Sequence, residues 1–198
     1  MIAAALGGYA IGSLPLGYLA GRRLGGVDLR SVGSRNVGAT NMYRVSGPRL
    51  GLLVMLLDVA KGAGAVALAS SWLAAPLDPV VAGVAAVAGH VYPVWLRGRG
   101  GKGVATACGA FALLAPLATV VAAVLFAITV GATRVVSAGS IVAAVLLPPL
   151  ALVLRADPAV AAGAAIAAAL IVWRHRANLA RLWRGTERRL ATREVPRA

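Results

Sequence analysis

Apolar residues fill this chain in long blocks separated by short polar segments. The first block runs from about Ile2 to Ala20, and a polar segment follows from Arg22 to Arg49. The second block runs from about Leu50 to Leu73 and the third from about Val80 to Leu96, where a glycine-rich segment begins. Apolar sequence then continues to about Gly131, interrupted by Pro116. Thr133 to Ser140 is a short polar turn. Two further apolar stretches cover Ile141–Leu154 and Pro158–Trp173, and the tail from Arg174 is basic. Blocks approaching the ~20 residues needed to cross a bilayer predict membrane-spanning helices. The first block has no basic segment before it and no clear small-residue cleavage site after it, so it reads as a retained span rather than a signal peptide.

Lysine and arginine placement orients these helices. Basic residues gather at Arg22–Arg49, at Arg97–Lys102 and in the tail from Arg174, and all three segments should be cytoplasmic. An even number of crossings must then separate Lys102 from Arg174, whereas crude hydropathy gives three. Pro116 resolves the conflict by splitting residues 103–131 into two short half-helices that go up and come back. The expectation is an all-α, polytopic membrane protein of about seven transmembrane helices, two of them half-helices. The N-terminus lies outside, the C-terminus is cytoplasmic, and Arg155 is the one loop cation left outside. Trp72, Trp95 and Trp173 each end a span, as interfacial anchors do.

Composition narrows the class. The chain has 198 residues, 60% of them hydrophobic, and a mean hydropathy of +0.82. This is one membrane domain over residues 1–198, with a basic cytoplasmic tail from about 174. The lone cysteine, Cys108, excludes an intramolecular disulfide. Six acidic residues and two distant histidines make an all-protein metal cage a poor reading, and no metal is expected. The net charge of +14 sits between apolar spans, so anionic headgroups and phosphorylated substrates are the expected partners and nucleic acid is not.

Three cytoplasmic motifs carry candidate chemistry. In the first, Gly33 to Arg44, glycines alternate with Ser34, Asn36, Asn41 and other small polar residues, and Arg44 can hold a phosphate bidentately. In the second, Gly98-Arg99-Gly100-Gly101-Lys102-Gly103 precedes an apolar helix, continuing into Thr106. Glycines admit an anion to the backbone, the lysine adds a point charge, and the helix N-terminus adds a favourable dipole. It is not a Walker A loop, because Leu96 and Gly103 occupy the pattern's first and last positions. In the third, His175, Asn178 and Arg181 share one helical face, with Glu187 beyond. The plainer readings are a capped polar loop, an interfacial hinge and a lipid-bound basic helix. Ser137 and Ser140 form a polar turn, and Asp58 and Lys61 form a costly i, i+3 charge pair inside the second span.

Taken together, these motifs resemble the bacterial membrane acyl-phosphate:glycerol-3-phosphate acyltransferases (PlsY type). The resemblance is carried by G-S-x-P-x-G-Y at Gly12–Tyr18, G-S-x-N-x-G-A-T-N at Gly33–Asn41 and L-D-x-x-K-G at Leu57–Gly62. It continues with G-H-x-x-P-V at Gly89–Val94, G-G-K-G-V-A-T at Gly100–Thr106 and H-R-x-N-x-x-R-L-x-x-G-x-E at His175–Glu187. Arg35 departs from it, standing where many members have glycine. The resemblance implies acyl transfer from a fatty acyl phosphate to the 1-hydroxyl of glycerol 3-phosphate, giving lysophosphatidic acid and phosphate without a cofactor, by a monomer in the cytoplasmic (inner) membrane. It implies Ser34, Gly38, Lys102, His175 and Asn178 as catalytic residues. Substrate binding falls to Asn36, Asn41, Arg44, Gly100, Gly101, Gly103, Thr106, Ser140, Arg181 and Glu187.

The H-x-x-x-x-D dyad of soluble acyltransferases is absent. Trp95 lies five residues beyond His90, and Ala180 five beyond His175. A phosphatidyl-alcohol transferase would need a dense aspartate motif that six scattered acids do not supply. A transporter with broken helices around the glycine segment and a lipid-binding scaffold are the non-enzymatic alternatives.

Overall fold

The computed structural model describes residues 1–190, so Arg193, Glu194 and Arg197 of the predicted tail lie outside it. The chain folds into α1 (Ile2–Ser13), α2 (Leu16–Arg23), α3 (Ala39–Ser46), α4 (Pro48–Trp72) and α5 (Asp78–Val91). There follow a 3₁₀ turn (Val94–Leu96), α6 (Val104–Leu114), α7 (Pro116–Thr133), α8 (Val136–Val153), α9 (Pro158–Arg174) and α10 (Arg176–Trp183). Among the described residues, five helical segments are long and apolar enough to cross a membrane. They become six if α9 and α10, bent by 60°, are one span. The protein is thus all-helical and built for a bilayer.

Prolines place several boundaries. Pro48, Pro116 and Pro158 open α4, α7 and α9, where a missing N–H removes nothing the helix needs. Asp157 caps α9 by accepting from the Ala159 N–H at 2.7 Å. Pro15 ends α1, so the predicted first span is two helices in sequence.

The break at Pro116 is where the sequence places it, but the halves are unequal. The helix α6 has 11 residues, whereas α7 has 18 and is full-length. The left-handed backbone of Gly103 delays the start of α6, and Arg134, also left-handed, ends α7 late. The pair of short half-helices is therefore corrected to one short helix and one long one.

Small residues bring the helices close. A side chain at Gly8 or Gly12 of α1 would overlap the backbone of Ala82 or Ala86 on α5. This four-residue spacing of small side chains is how helices meet tightly without water to drive them. The largest core cluster lies between α6, α7, α8 and α9, around the fully buried Phe111. On α7, Leu117, Val120, Val124 and Ile128 recur at helical spacing and stay exposed, forming a lipid-facing stripe. Trp72, Trp95 and Trp173 are all exposed at helix ends, as an interfacial belt requires.

Candidate active site

The first motif folds around one buried amide. Asn41 Nδ2 donates to the carbonyls of Leu29 and Val32 at 3.2 Å and of Asn36 at 2.9 Å. Its Oδ1 accepts from the Ser34 N–H at 2.8 Å. These bonds satisfy the loop's backbone and hold Ser34 in place. Asn36 Oδ1 accepts from the Gly38 N–H at 2.9 Å, shaping the turn into α3. That N–H is consequently engaged, as is the Asn41 N–H, which donates to the Gly38 carbonyl at 3.1 Å, and the remaining donors of this helix start are the N–H groups of Ala39 and Thr40. One turn past Asn41, Arg44 is buried and donates to the Arg188 carbonyl at 3.3 Å. Arg35 has φ 57°, a left-handed conformation natural to glycine, so the loop keeps a glycine-like bend with an arginine in it.

The second motif is a loop pressed against the end of α5. Arg97, Gly98 and Gly103 are left-handed, which lets the chain reverse twice. The Gly100 and Gly101 N–H groups donate to the Val91 and His90 carbonyls at 3.2 and 3.1 Å. From the other side the Arg174 guanidinium donates to the carbonyls of Gly100 and Gly101 at 3.2 and 3.4 Å. Lys102 emerges from this clamp, and its Nζ donates to Asn178 Oδ1 at 2.5 Å.

The third motif closes the site from above. Glu187 accepts from Asn178 Nδ2 at 2.5 Å, from Ser137 Oγ at 2.9 Å and from Arg181 Nε at 2.6 Å. A single carboxylate thus ties α8, α10 and the tail together. Burial works to raise the pKa of Glu187, but these three hydrogen bonds outweigh it and hold the pKa below the usual range.

His175, at the junction of α9 and α10, is almost fully buried. Its Nδ1 lies 2.8 Å from the Ile171 carbonyl, which can only accept, so Nδ1 carries the proton and Nε2 is an acceptor. Burial, reinforced by the charge of Lys102, pushes its pKa down to about 4, and the ring is neutral at physiological pH. Burial also lowers Lys102 to about 8, with Arg181, Arg44 and Arg174 adding to the effect against the pull of Glu187.

These groups line one cavity of about 770 Å³. Of the residues expected from sequence, Ser34, Asn36, Gly38, Asn41, Arg44, Lys102, Gly103, Ser140, His175, Asn178, Arg181 and Glu187 all border it. Gly100, Gly101 and Thr106 do not. The two glycines face α5, and Thr106 is buried where α6 meets Gly62 of α4. Ser140 Oγ is engaged with the Val136 carbonyl at 2.9 Å.

Two features were not among the expected site residues. Ser137 and Arg174 belong to the constellation through their bonds to Glu187 and the glycine loop. Their signal was adjacency, one three residues before Ser140 and the other next to His175. The second feature is an apolar extension of the cavity between α7, α8 and α9, lined by Ala122, Phe126, Ala144, Leu147, Ala164 and Ala168. Its alanines look like any other membrane alanine until the helices are packed.

Comparisons with known proteins give the family. The family model described as glycerol-3-phosphate acyltransferase matches residues 2–185. The glycerol-3-phosphate acyltransferase of Synechococcus sp. (strain CC9902) is 47% identical over 183 residues, covering 92% of each chain. That of Myxococcus xanthus is 49% identical over 184 residues, covering 92% of this chain and 95% of the relative. The crystal structure of PlsY, an integral membrane glycerol 3-phosphate acyltransferase, in its glycerol 3-phosphate form superposes with a TM-score of 0.89 at 36% identity. It covers 95% of this chain and 94% of that one. The lysophosphatidic acid form of PlsY gives 0.88 at 35% identity, covering 96% and 95%. Matched over residues 2–185 and sharing its fold with PlsY, the chain belongs to the glycerol-3-phosphate acyltransferase family.

Proposed function

We propose that the protein transfers a fatty acyl group from acyl phosphate to the 1-hydroxyl of sn-glycerol 3-phosphate. The products are 1-acyl-sn-glycerol 3-phosphate and inorganic phosphate, and no metal or cofactor takes part. The observation that carries this reading is the composite cavity: a cationic polar chamber opening into an apolar extension. Acyl phosphate has both characters in one molecule. The relatives' crystal forms, one with glycerol 3-phosphate and one with lysophosphatidic acid, fit the acceptor and the product.

In this reading the acyl chain lies along Ala122, Leu147, Ala164 and Ala168. Its phosphate meets Lys102 and the backbone of Gly103, whose position depends on Gly100, Gly101 and Thr106 behind them. Arg44 and Arg181 hold the phosphate of glycerol 3-phosphate. Asn178, fixed by Glu187, aligns Lys102, while Asn36, Asn41 and Ser140 shape the walls. The neutral His175 accepts the 1-hydroxyl at Nε2 and aims its oxygen at the acyl carbon. Attack forms a C–O bond and a tetrahedral oxyanion, stabilised by the Ser34 hydroxyl and the first-turn N–H groups of α3 beyond Gly38. The bond from the acyl carbon to the phosphate oxygen then breaks. Phosphate leaves with the electron pair and takes the hydroxyl proton. With so good a leaving group, positioning and charge stabilisation supply most of the rate.

The clustering of cations around the chamber supports a site on the cytoplasmic side by the positive-inside rule, and the proposed enzyme is a monomer of the cytoplasmic membrane. Phosphate release by purified protein in detergent tests the donor. The reading predicts release from palmitoyl phosphate that requires glycerol 3-phosphate, and no acylation from palmitoyl-CoA. Turnover with palmitoyl-CoA alone would overturn the donor assignment, and no turnover with either would favour a transporter.

A further inference from the structure

A buried charged cluster lies directly beneath the loop that carries Lys102. Asp58 Oδ1 on α4 is 3.0 Å from Lys61 Nζ, one turn on, and 3.4 Å from His90 Nδ1 on α5. Lys61 also donates to the Leu14 carbonyl at 3.2 Å, at the break between α1 and α2. All three side chains are buried, at a depth where charges are expensive and pairing alone gives little over an apolar trio.

The cluster meets Gly101. A side chain at that position would overlap the His90 ring at Nε2, Cε1 and Cδ2. The backbone of Gly101 is not left-handed, and the residue does not border the large cavity. Its lack of a side chain is therefore required by the ring beneath it. The Gly101 N–H donates to the His90 carbonyl and the Gly101 carbonyl accepts from the Arg174 guanidinium, so the peptides on both sides of Gly101 are held, and the next residue is Lys102.

We propose that Asp58, Lys61 and His90 are positioning residues for Lys102, forming a seat for Gly101 that sets where the lysine enters the cavity. The chain of contacts runs from the α1–α2 break through Lys61, Asp58 and the His90 ring to the glycine peptide. It spans three membrane helices and a loop that has no regular structure of its own. The inference rests on the acyltransferase reading for its kinetic readout alone.

A double-variant cycle tests it, using the full chain in detergent with His90→Ala, Gly101→Ala and both together. Two quantities are measured: kcat and KM for palmitoyl phosphate, and the rise in Tm caused by inorganic phosphate. Each single variant should lose kcat/KM by about 10- to 100-fold, the scale of a 1 Å misplacement. Each should also lose most of the phosphate-induced rise. The double variant should be no worse than His90→Ala, because the new methyl enters the space the ring leaves, so the two costs do not multiply. Where His90→Ala does not fold, His90→Asn, which keeps a donor toward Asp58, replaces it in the same cycle with the same expectation. Costs that multiply would overturn the proposal, since Gly101 would then be needed for its own sake. So would a folded His90 variant with wild-type kcat/KM and phosphate response. A wild type that responds to phosphate without turning over would refute the acyltransferase reading, while the cycle read through the phosphate response would still decide this one.

Discussion

Raising the pH should strip the proton from Lys102 and with it much of the chamber's positive charge. Burial brings this lysine down to about 8, roughly two units below its ordinary ~10.4. The lowered value means that the charged form fades as the pH rises through about 8. One unit higher only about a tenth remains charged, so kcat/KM should fall close to tenfold per unit beyond the midpoint. The quantity kcat/KM reports the free enzyme, for which this value applies. In the substrate complex a phosphate dianion beside Nζ holds the proton on, so the limb in kcat should lie at higher pH. On the acid side, protonation of the substrate phosphomonoester near pH 6 should limit the rate. His175, titrating near 4, should contribute nothing between. The assay is phosphate release from palmitoyl phosphate between about pH 5.5 and 9.5 at fixed ionic strength, with Lys102→Arg measured in parallel. A guanidinium stays charged throughout, so the arginine variant should lose the alkaline limb whatever its absolute rate. A flat wild-type profile to the top of this range, or the same limb in the variant, would refute the reasoning.

Three further outcomes follow from the same geometry. Glu187→Gln places an amide N–H₂ where the carboxylate accepts three donors, so it should lower activity about 100-fold and stability by at least the ~1.5–3 kcal/mol of one charge-assisted bond, read by thermal unfolding. His175→Ala should raise KM for glycerol 3-phosphate while kcat falls less than about tenfold; a loss of about 10²–10⁴ in kcat at unchanged KM would make His175 the base. Ala168→Leu narrows the apolar extension and should lower the palmitoyl-to-lauroyl phosphate ratio of kcat/KM about tenfold or more, an unchanged ratio placing the chain elsewhere.

Much of this architecture is written in local rules. Length and hydropathy identify the spans of α4 and α9 closely, whereas α5 stops at Val91 rather than Leu96 and α8 begins at Val136, so that Ser137 and Ser140 lie in its first turns rather than in a polar turn before it; proline marks where α7 and α9 begin. Trp72, Trp95 and Trp173 sit at span ends as the belt rule requires. The sequence pattern is less informative about what a break produces. Pro116 separates α6 from α7, yet their lengths depend on left-handed residues at Gly103 and Arg134 that hydropathy does not register.

The glycine segment shows a deeper limit. Gly100, Gly101, Lys102 and Gly103 read as one phosphate cradle, but the glycines have different causes. Gly103 is left-handed beside the cavity, whereas Gly100 and Gly101 are bare because α5 and the His90 ring lie against them. A glycine that admits a ligand and a glycine that admits a neighbouring helix look the same in a sequence. Likewise Glu187, thirteen residues beyond Arg174 in the basic tail, gains its meaning only when α8 brings Ser137 against it. The apolar extension is invisible for the same reason, since its alanines become a slot only through the spacing of α7, α8 and α9.

The central claim is that this one cavity joins an acyl phosphate to glycerol 3-phosphate. Its most direct test is product analysis with purified wild type and Lys102→Met, both shown to be folded by their Tm, in detergent with palmitoyl phosphate and glycerol 3-phosphate. The account predicts one lysophosphatidic acid formed per phosphate released by the wild type, and nearly none by the variant. Phosphate released without lysophosphatidic acid, or a variant that matches the wild type, would contradict it.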